Sequence, residues 1–339
     1  MKFFKDILNP LRVILWTFLV LLVISISLII YMFIGTVKQA PGVVFGVTFS
    51  QVFAEEMELD WKKVYSAILD DLGVRRLRLI AYWPKVEPFP QRYSFDDLDY
   101  QINTAGRKGA NIILVVGRKV PRWPECHVPE WASSLSESEQ QRRILSLIEQ
   151  IINRYKENDA IIAWQVENEP FLESFGECPD LDEEFLDKEI DLVRRLDSSR
   201  PIIVSSSGEL SSWIRPATRA NILGTTLYRI VWNSTLGYFK YPIPPIFYHK
   251  RANLVKWVTG IDRIIIVELQ AEPWGPGPIS QMDIGEQVKS MDLDKFRKIV
   301  DYTYKTGFDE AYFWGVEWWY WRKELLDYPD IWNEARNLF

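Results

Sequence analysis

Histidine is nearly absent: the 339 residues contain two, His127 and His249. Cysteine is equally scarce, with Cys126 and Cys178 alone. These counts exclude a zinc site built on several imidazoles, and no CxxC pair or thiolate cluster replaces it. No other metal site and no cofactor is expected. A basic surplus is missing too: 40 Lys and Arg stand against 46 Asp and Glu, for a net charge of −6. Residues 1–41 are basic, with Lys2, Lys5, Arg12 and Lys38 against Asp6, so the acidic surplus lies wholly in residues 42–339. Such a body lacks the basic footprint that nucleic-acid binding needs. After residue 34, no apolar run is long enough to span a bilayer.

Apolar residues are abundant, at 47%, and charged residues make up 25%, which suits a packed core and not a disordered chain. The length fits one large domain or two small ones. Aromatic residues are plentiful, with 15 Trp, 15 Tyr and 18 Phe. Their flat faces suit ligands that are themselves flat and partly apolar.

Val13 to Ile34 is a 22-residue stretch without a charge. As a helix it would cross about 30 Å of hydrocarbon. Lys2, Lys5 and Arg12 precede it, so the positive-inside rule puts residues 1–12 in the cytoplasm and the remainder outside. A cleaved signal peptide is the alternative, but its apolar core is usually shorter, and no small-x-small cleavage site is evident before Pro41. The organisation expected is a cytoplasmic tail (1–12), a signal anchor (13–34), a linker (35–41) and one domain (42–339). The localisation expected is the cell membrane, single-pass, with a monomeric domain outside the cytoplasm.

Within that domain, short apolar runs alternate with amphipathic stretches. The runs are 42–49, 74–83, 110–117, 160–170, 201–207, 222–228, 263–270 and 310–318, each rich in β-branched or aromatic residues. They are too short for helices and read as strands. Helical patterns fall at 61–72, 94–107, 136–155, 182–196, 209–220, 247–259, 286–306 and 328–338. Strands alternating with helices imply a parallel sheet buried on both faces, and eight such units in about 300 residues fit a (β/α)8 TIM barrel. A doubly wound sheet is the competitor, but no glycine-rich phosphate loop follows the first strand.

In a barrel of this kind the chemistry gathers at the C-terminal strand ends. The fourth run ends Glu167-Asn168-Glu169-Pro170, and the seventh ends Glu268-Leu269-Gln270. The second carries Arg78, the sixth ends at Tyr228, and the eighth holds Trp314. Two carboxylates on different strands can flank a glycosidic bond, one as acid and the other as nucleophile or base. Trp83, Trp123, Trp131, Trp232, Trp274, Trp314 and Trp318 are candidates to stack on sugar rings.

These segments resemble the retaining glycoside hydrolases of clan A, the TIM-barrel group that includes the cellulase-type enzymes of glycoside hydrolase family five. Asn168-Glu169-Pro170 resembles the clan's Asn-Glu-Pro, whose Glu is the acid/base. Glu268, in IIIVELQAEPW, resembles the nucleophile that closes strand seven. Thr226-Leu227-Tyr228 occupies the place of the strand-six motif, whose Tyr bonds the nucleophile, with Thr226 where cellulase-type members often carry His. Arg78 and Trp83, in RLIAYWPKVEP, resemble the strand-two segment, and Trp314 the strand-eight sugar contact. Residues 78–124 look closer to the β-galactosidase and β-xylosidase branches.

The resemblance implies hydrolysis of β-linked oligo- or polysaccharides, with Glu169 and Glu268 catalytic. Arg78 and Tyr228 would then support Glu268. Asn168 would bind the hydroxyl beside the anomeric carbon, and Trp83, Trp274 and Trp314 would contact sugar. Glu167 competes as the acid and Glu272 as the nucleophile. A catalytically silent carbohydrate-binding barrel and a transglycosylase stay open as other functions. Cys126 and Cys178 fall in the loops after strands three and four, which are adjacent on the site face, so a disulfide is expected between them.

Overall fold

The computed structural model describes residues 2–37 and 42–339. Eight parallel strands close into one barrel: β1 (Val44–Thr48), β2 (Arg76–Ile80), β3 (Asn111–Val116), β4 (Ile161–Val166), β5 (Ile202–Ser206), β6 (Ile222–Leu227), β7 (Arg263–Gln270) and β8 (Glu310–Trp314). β8 closes on β1 in the register Val44–Glu310 to Thr48–Trp314. The expected (β/α)8 barrel is therefore the fold.

Burial on both faces explains why each strand reads as a nearly unbroken apolar run. Inward side chains such as Ile113, Ala163, Ile203, Ile265 and Tyr312 fill the barrel. Outward ones such as Leu114, Trp164, Val204 and Ile266 pack into the larger layer shared with the helices. At Gly46 a Cβ would lie 2.6 Å from the Arg76 carbonyl, so β1 meets β2 only because that side chain is absent.

Helix starts follow capping chemistry. Ser136 accepts from the Glu139 amide ahead of the helix Glu137–Tyr155, and Asp182 accepts from Phe185 ahead of Glu183–Leu196. Ser94 does not cap. The helix over Asp96–Arg107 has Phe95 at its N-cap, and Asp96, Asp97 and Asp99 complement the dipole instead. The expected helix at 209–220 shrinks to Ile214–Ala217, and that at 286–306 splits into Ile284–Ser290 and Leu293–Tyr304. The eighth run stops being a strand at Trp314. Gly315 turns the chain at φ 115°, and Val316–Leu325 is helix. A hairpin, Ile230–Asn233 with Gly237–Lys240, follows β6.

The N-terminal helix runs Lys2–Phe33, and its apolar part, Arg12–Phe33, is long enough to cross a membrane and is nowhere buried. Its end meets the barrel at the helix Pro245–Thr259. There Phe33 packs on Phe247 at 5.2 Å, and Lys250 Nζ donates to the Ile34 carbonyl at 2.8 Å. Of the expected tail and linker, Met1 and residues 38–41 lie outside the described residues.

Candidate active site

Just after β4 come two residues of left-handed conformation, Glu167 at φ 57° and Glu169 at φ 42°. Such strain persists only where neighbours over-determine it. The Glu167 carboxylate accepts from the backbone amides of Arg118 (2.7 Å) and Lys119 (2.6 Å). Gly117, at φ 126°, makes room for it, since a Cβ there would lie 2.4 Å from Oε1. Glu167 thus holds the loop after β3 with both carboxylate oxygens. Glu169 is fixed through its own amide, which donates to Ser205 Oγ on β5 at 2.9 Å.

Across the barrel, Glu268 on β7 is gripped from two sides. Arg78 Nη1 on β2 donates to Oε1 and Tyr228 Oη at the end of β6 donates to Oε2, both at 3.0 Å. Arg78 is wholly buried and also donates to Gln165 and to Asn168 Oδ1, each at 2.8 Å. Asn168 Oδ1 also accepts from Ser205 Oγ at 3.1 Å, while Nδ2 donates to Glu125 Oε2 at 3.0 Å. Its amide is therefore oriented with Nδ2 toward Glu125.

Glu169 has poorer company. Among the described residues, its carboxylate receives only the Thr226 hydroxyl, at 3.4 Å. Burial raises its pKa well above the ordinary carboxylate value, and the negative charges of Glu268, Glu125 and Glu209 push it the same way. Burial and then the charge of Glu268 also raise Glu125, to about 8. Glu209, which accepts from Tyr248 and from the Tyr228 amide, is raised to about 7 by burial.

Glu272, the rival nucleophile, is committed elsewhere. It pairs with Arg122, whose other nitrogen reaches Glu317 at 3.0 Å. The Arg122 guanidinium lies 3.7 Å from the Phe53 ring and 4.1 Å from that of Trp314. Trp314 is therefore buried beside the site with one face occupied. Trp274 is half-buried and stands edge-on to Tyr228 at 5.2 Å, with Phe175 and then Trp123 beyond it.

Trp83 does not belong to the site. It begins a helical turn, is fully buried, donates to Glu87 at 2.8 Å and packs edge-on against Trp131. Trp318 is likewise core, bonded to Gln287. Trp232 lies on the hairpin after β6, opposite Tyr238. His127 has a structural task, with Nε2 against the Arg122 carbonyl and its ring against Tyr82.

The cysteines form the bond Cys126–Cys178, with Cα atoms 5.3 Å apart, which ties the loops after β3 and β4. A pocket under that bond is lined by Arg118, Glu167 and Glu189 but by neither Glu169 nor Glu268. Sequence reasoning missed Gln165, Ser205, Glu125 and Arg122. The first two sit on strand faces that point inward by the period of two, which was a usable signal. The last two sit in an irregular loop, which offers none. Among the described residues, no three His, Cys, Asp or Glu side chains are arranged to hold a metal ion.

Solved structures share the architecture at low identity. A β-galactosidase from Rahnella sp. R3 is 14% identical, with a TM-score of 0.53 over 81% of this chain and 52% of its own. A GH5_18 protein from Streptomyces cattleya, solved with GlcNAc, is 13% identical, with a TM-score of 0.55 over 82% and 71%. One from Bifidobacterium longum is also 13% identical, with a TM-score of 0.57 over 80% and 69%. The chain spans about half the length of the β-galactosidases it matches. No curated protein matches it. The family described as cellulase (glycosyl hydrolase family 5) matches residues 44–255, most of the barrel, and the chain belongs to that family.

Proposed function

We propose that this chain is a retaining β-glycosidase in which Glu268 attacks the anomeric carbon and Glu169 serves as acid and then base. The observation that carries this is the contrast between the two carboxyls. Glu268 is held by a guanidinium and a phenol, one on each carboxylate oxygen, which fixes it in place as an attacking group at the end of β7. Glu169 is buried, lacks a cationic partner and has a raised pKa, which favours the protonated form a general acid needs. In the first step Glu169 gives its proton to the leaving oxygen while Glu268 forms the glycosyl ester. In the second, Glu169 takes a proton from water, which cleaves that ester with net retention. Asn168 Nδ2 has one hydrogen to offer the neighbouring sugar hydroxyl, a bond that strengthens in the transition state. Trp314 and Trp274 supply the apolar walls.

The substrate class is a β-linked oligo- or polysaccharide. The N-terminal apolar helix is read as an uncleaved anchor, with the barrel outside the cytoplasm and the tail inside.

The test uses two variants on aryl β-glycosides. Glu268→Ala abolishes turnover of every substrate, because no ester can form. Glu169→Ala still reacts with dinitrophenyl glycosides, whose leaving oxygen needs no proton. It then stalls as the glycosyl-enzyme until azide releases a β-glycosyl azide. Reversed behaviour of the two variants inverts the assignment, and an initial product of inverted configuration removes the retaining mechanism. Added sugar acceptors separate a hydrolase from a transglycosylase, and absence of turnover on every glycoside favours a silent binder.

A further inference from the structure

The mouth of the barrel is not an open groove. The loop after β3 crosses it, and Arg122 at the crossing joins elements from four strands. Its guanidinium pairs with Glu272 after β7 and Glu317 after β8, and lies between Phe53, after β1, and Trp314, the last residue of β8. β2 joins through Tyr82, whose hydroxyl contacts both Ser50 and the Pro121 carbonyl. Arg122 is 7% exposed, Trp314 8% and Glu317 0%, so buried side chains fill the mouth where β8, β1 and β2 end. The crossing cannot lift away cheaply. It would strip a buried guanidinium from two buried carboxylates, and Cys126 ties the same loop to the loop after β4.

Direction follows from the chemistry proposed above, on which this inference rests. The glycosidic oxygen must lie within hydrogen-bond reach of Glu169, so the leaving group lies on the β4 side of the bond being cut. The sugar attacked by Glu268 lies on the other side, against Trp314 and the Arg122 clamp. A chain continuing past that sugar would have to enter the filled part. On the β4 side the boundary is looser: Phe175, in the loop after β4, is half-exposed, and Trp123, which packs on it, is 56% exposed.

We infer that the site is a blind pocket that admits one sugar beyond the scissile bond, and that the substrate is the non-reducing end of a β-linked glycan. Each turnover then consumes one water and releases one monosaccharide. The leaving group is free to be long.

Aryl β-monosides, aryl β-biosides and reducing-end-labelled β-1,4-tetrasaccharides of glucose, mannose, galactose and N-acetylglucosamine test this on the full-length protein. For whichever sugar is turned over, nitrophenol is expected at once from the monoside. From the bioside it should appear only after a lag, once the terminal sugar has been removed. The labelled tetrasaccharide should shorten one residue at a time, with monosaccharide as the sole unlabelled product. Immediate nitrophenol release from the bioside, or an unlabelled disaccharide from the tetrasaccharide, overturns the blind pocket while leaving the glycosidase reading intact. Failure to turn over every monoside, bioside and tetrasaccharide removes the glycosidase reading and this inference with it.

Discussion

The charge on Glu268 reaches Glu169, and that coupling sets an order of events. Burial is the main cause of the raised Glu169 pKa, and the Glu268 carboxylate is the next. When Glu268 becomes an ester, as the proposed mechanism requires, its charge disappears. The sign is fixed: removing a like charge lowers the pKa of the group that felt it. In the proposed mechanism, Glu169 therefore enters the first step protonated and is driven toward its base form for the second. Carbon-13 NMR titration of labelled Glu169 should show a lower pKa in the enzyme trapped with a 2-deoxy-2-fluoro glycoside than in the free enzyme. An unchanged or higher value would mean that the two carboxyls do not share a site. Tyr228 permits a second test at this scale. Tyr228→Phe removes one of the two bonds to the Glu268 carboxylate, and a hydrogen bond to a charged group contributes about 1.5–3 kcal/mol. kcat/KM should fall roughly 10- to 100-fold with little change in thermal stability. A loss below twofold would show that Arg78 alone holds Glu268.

Among the elements, the two loops joined by Cys126 and Cys178 carry the greatest burden. The loop after β3 brings Arg122 and Glu125 to the site, and the loop after β4 brings Phe175. With the cysteines 52 positions apart in the chain, the chain-entropy view of the bond gives a contribution of about 4 kcal/mol. Cys126→Ser with Cys178→Ser should lower Tm by several degrees. It should also lower kcat/KM by more than a distant surface substitution of equal stability cost, because the clamp and the Asn168 partner ride on the freed loop. Equal losses would make the bond a global staple only. These loops also show where sequence reading ends. Strand-borne groups were legible because Arg78, Asn168, Glu169 and Glu268 interrupt or close apolar runs, where a charge or amide needs a reason. Trp83 broke the same logic: β2 ends at Ile80, and three residues on the chain has already turned into a helix that faces the core. The aromatic run at 310–318 concealed a strand-to-helix switch, because Trp and Tyr serve either state and only Gly315 marks the change. Arg122 and Glu125 lie where neither period operates, and their roles depend on contacts with loops more than forty residues away.

At the scale of the whole molecule, the buried carboxyls that shape the site also tune stability. Burial raises Glu209 to about 7, Glu317 to about 7 and Glu125 to about 8, all above the unfolded carboxylate value near 4.5. A group with a raised folded pKa lends stability in its protonated form, and that stability is lost as pH climbs through the folded value. Tm should therefore fall between about pH 5 and about pH 8, and Glu209→Gln should flatten that slope. A slope of the opposite sign would show that ion pairs dominate the window.

The arrangement of the entire chain yields the last expectation. Arg12–Phe33 is nowhere buried, and Lys250 and Phe247 receive its end on the flank of the barrel. Leaving such an apolar surface in water is costly, at about 25 cal/mol per Å2, so a lipid environment is the economical solution. In the proposed topology, the basic residues before the helix put its start in the cytoplasm. Three outcomes separate the possibilities when full-length protein is expressed in bacterial cells whose outer envelope is then opened. An uncleaved anchor stays with membranes through alkaline carbonate washing, and protease added outside degrades the barrel. A cleaved signal peptide gives a shortened barrel in the soluble extract. A barrel that pellets with membranes yet survives external protease faces the cytoplasm, and the proposed orientation is then reversed. The first outcome is expected, because the apolar stretch Arg12–Phe33 has 22 residues, enough to span the hydrocarbon, and basic residues precede it.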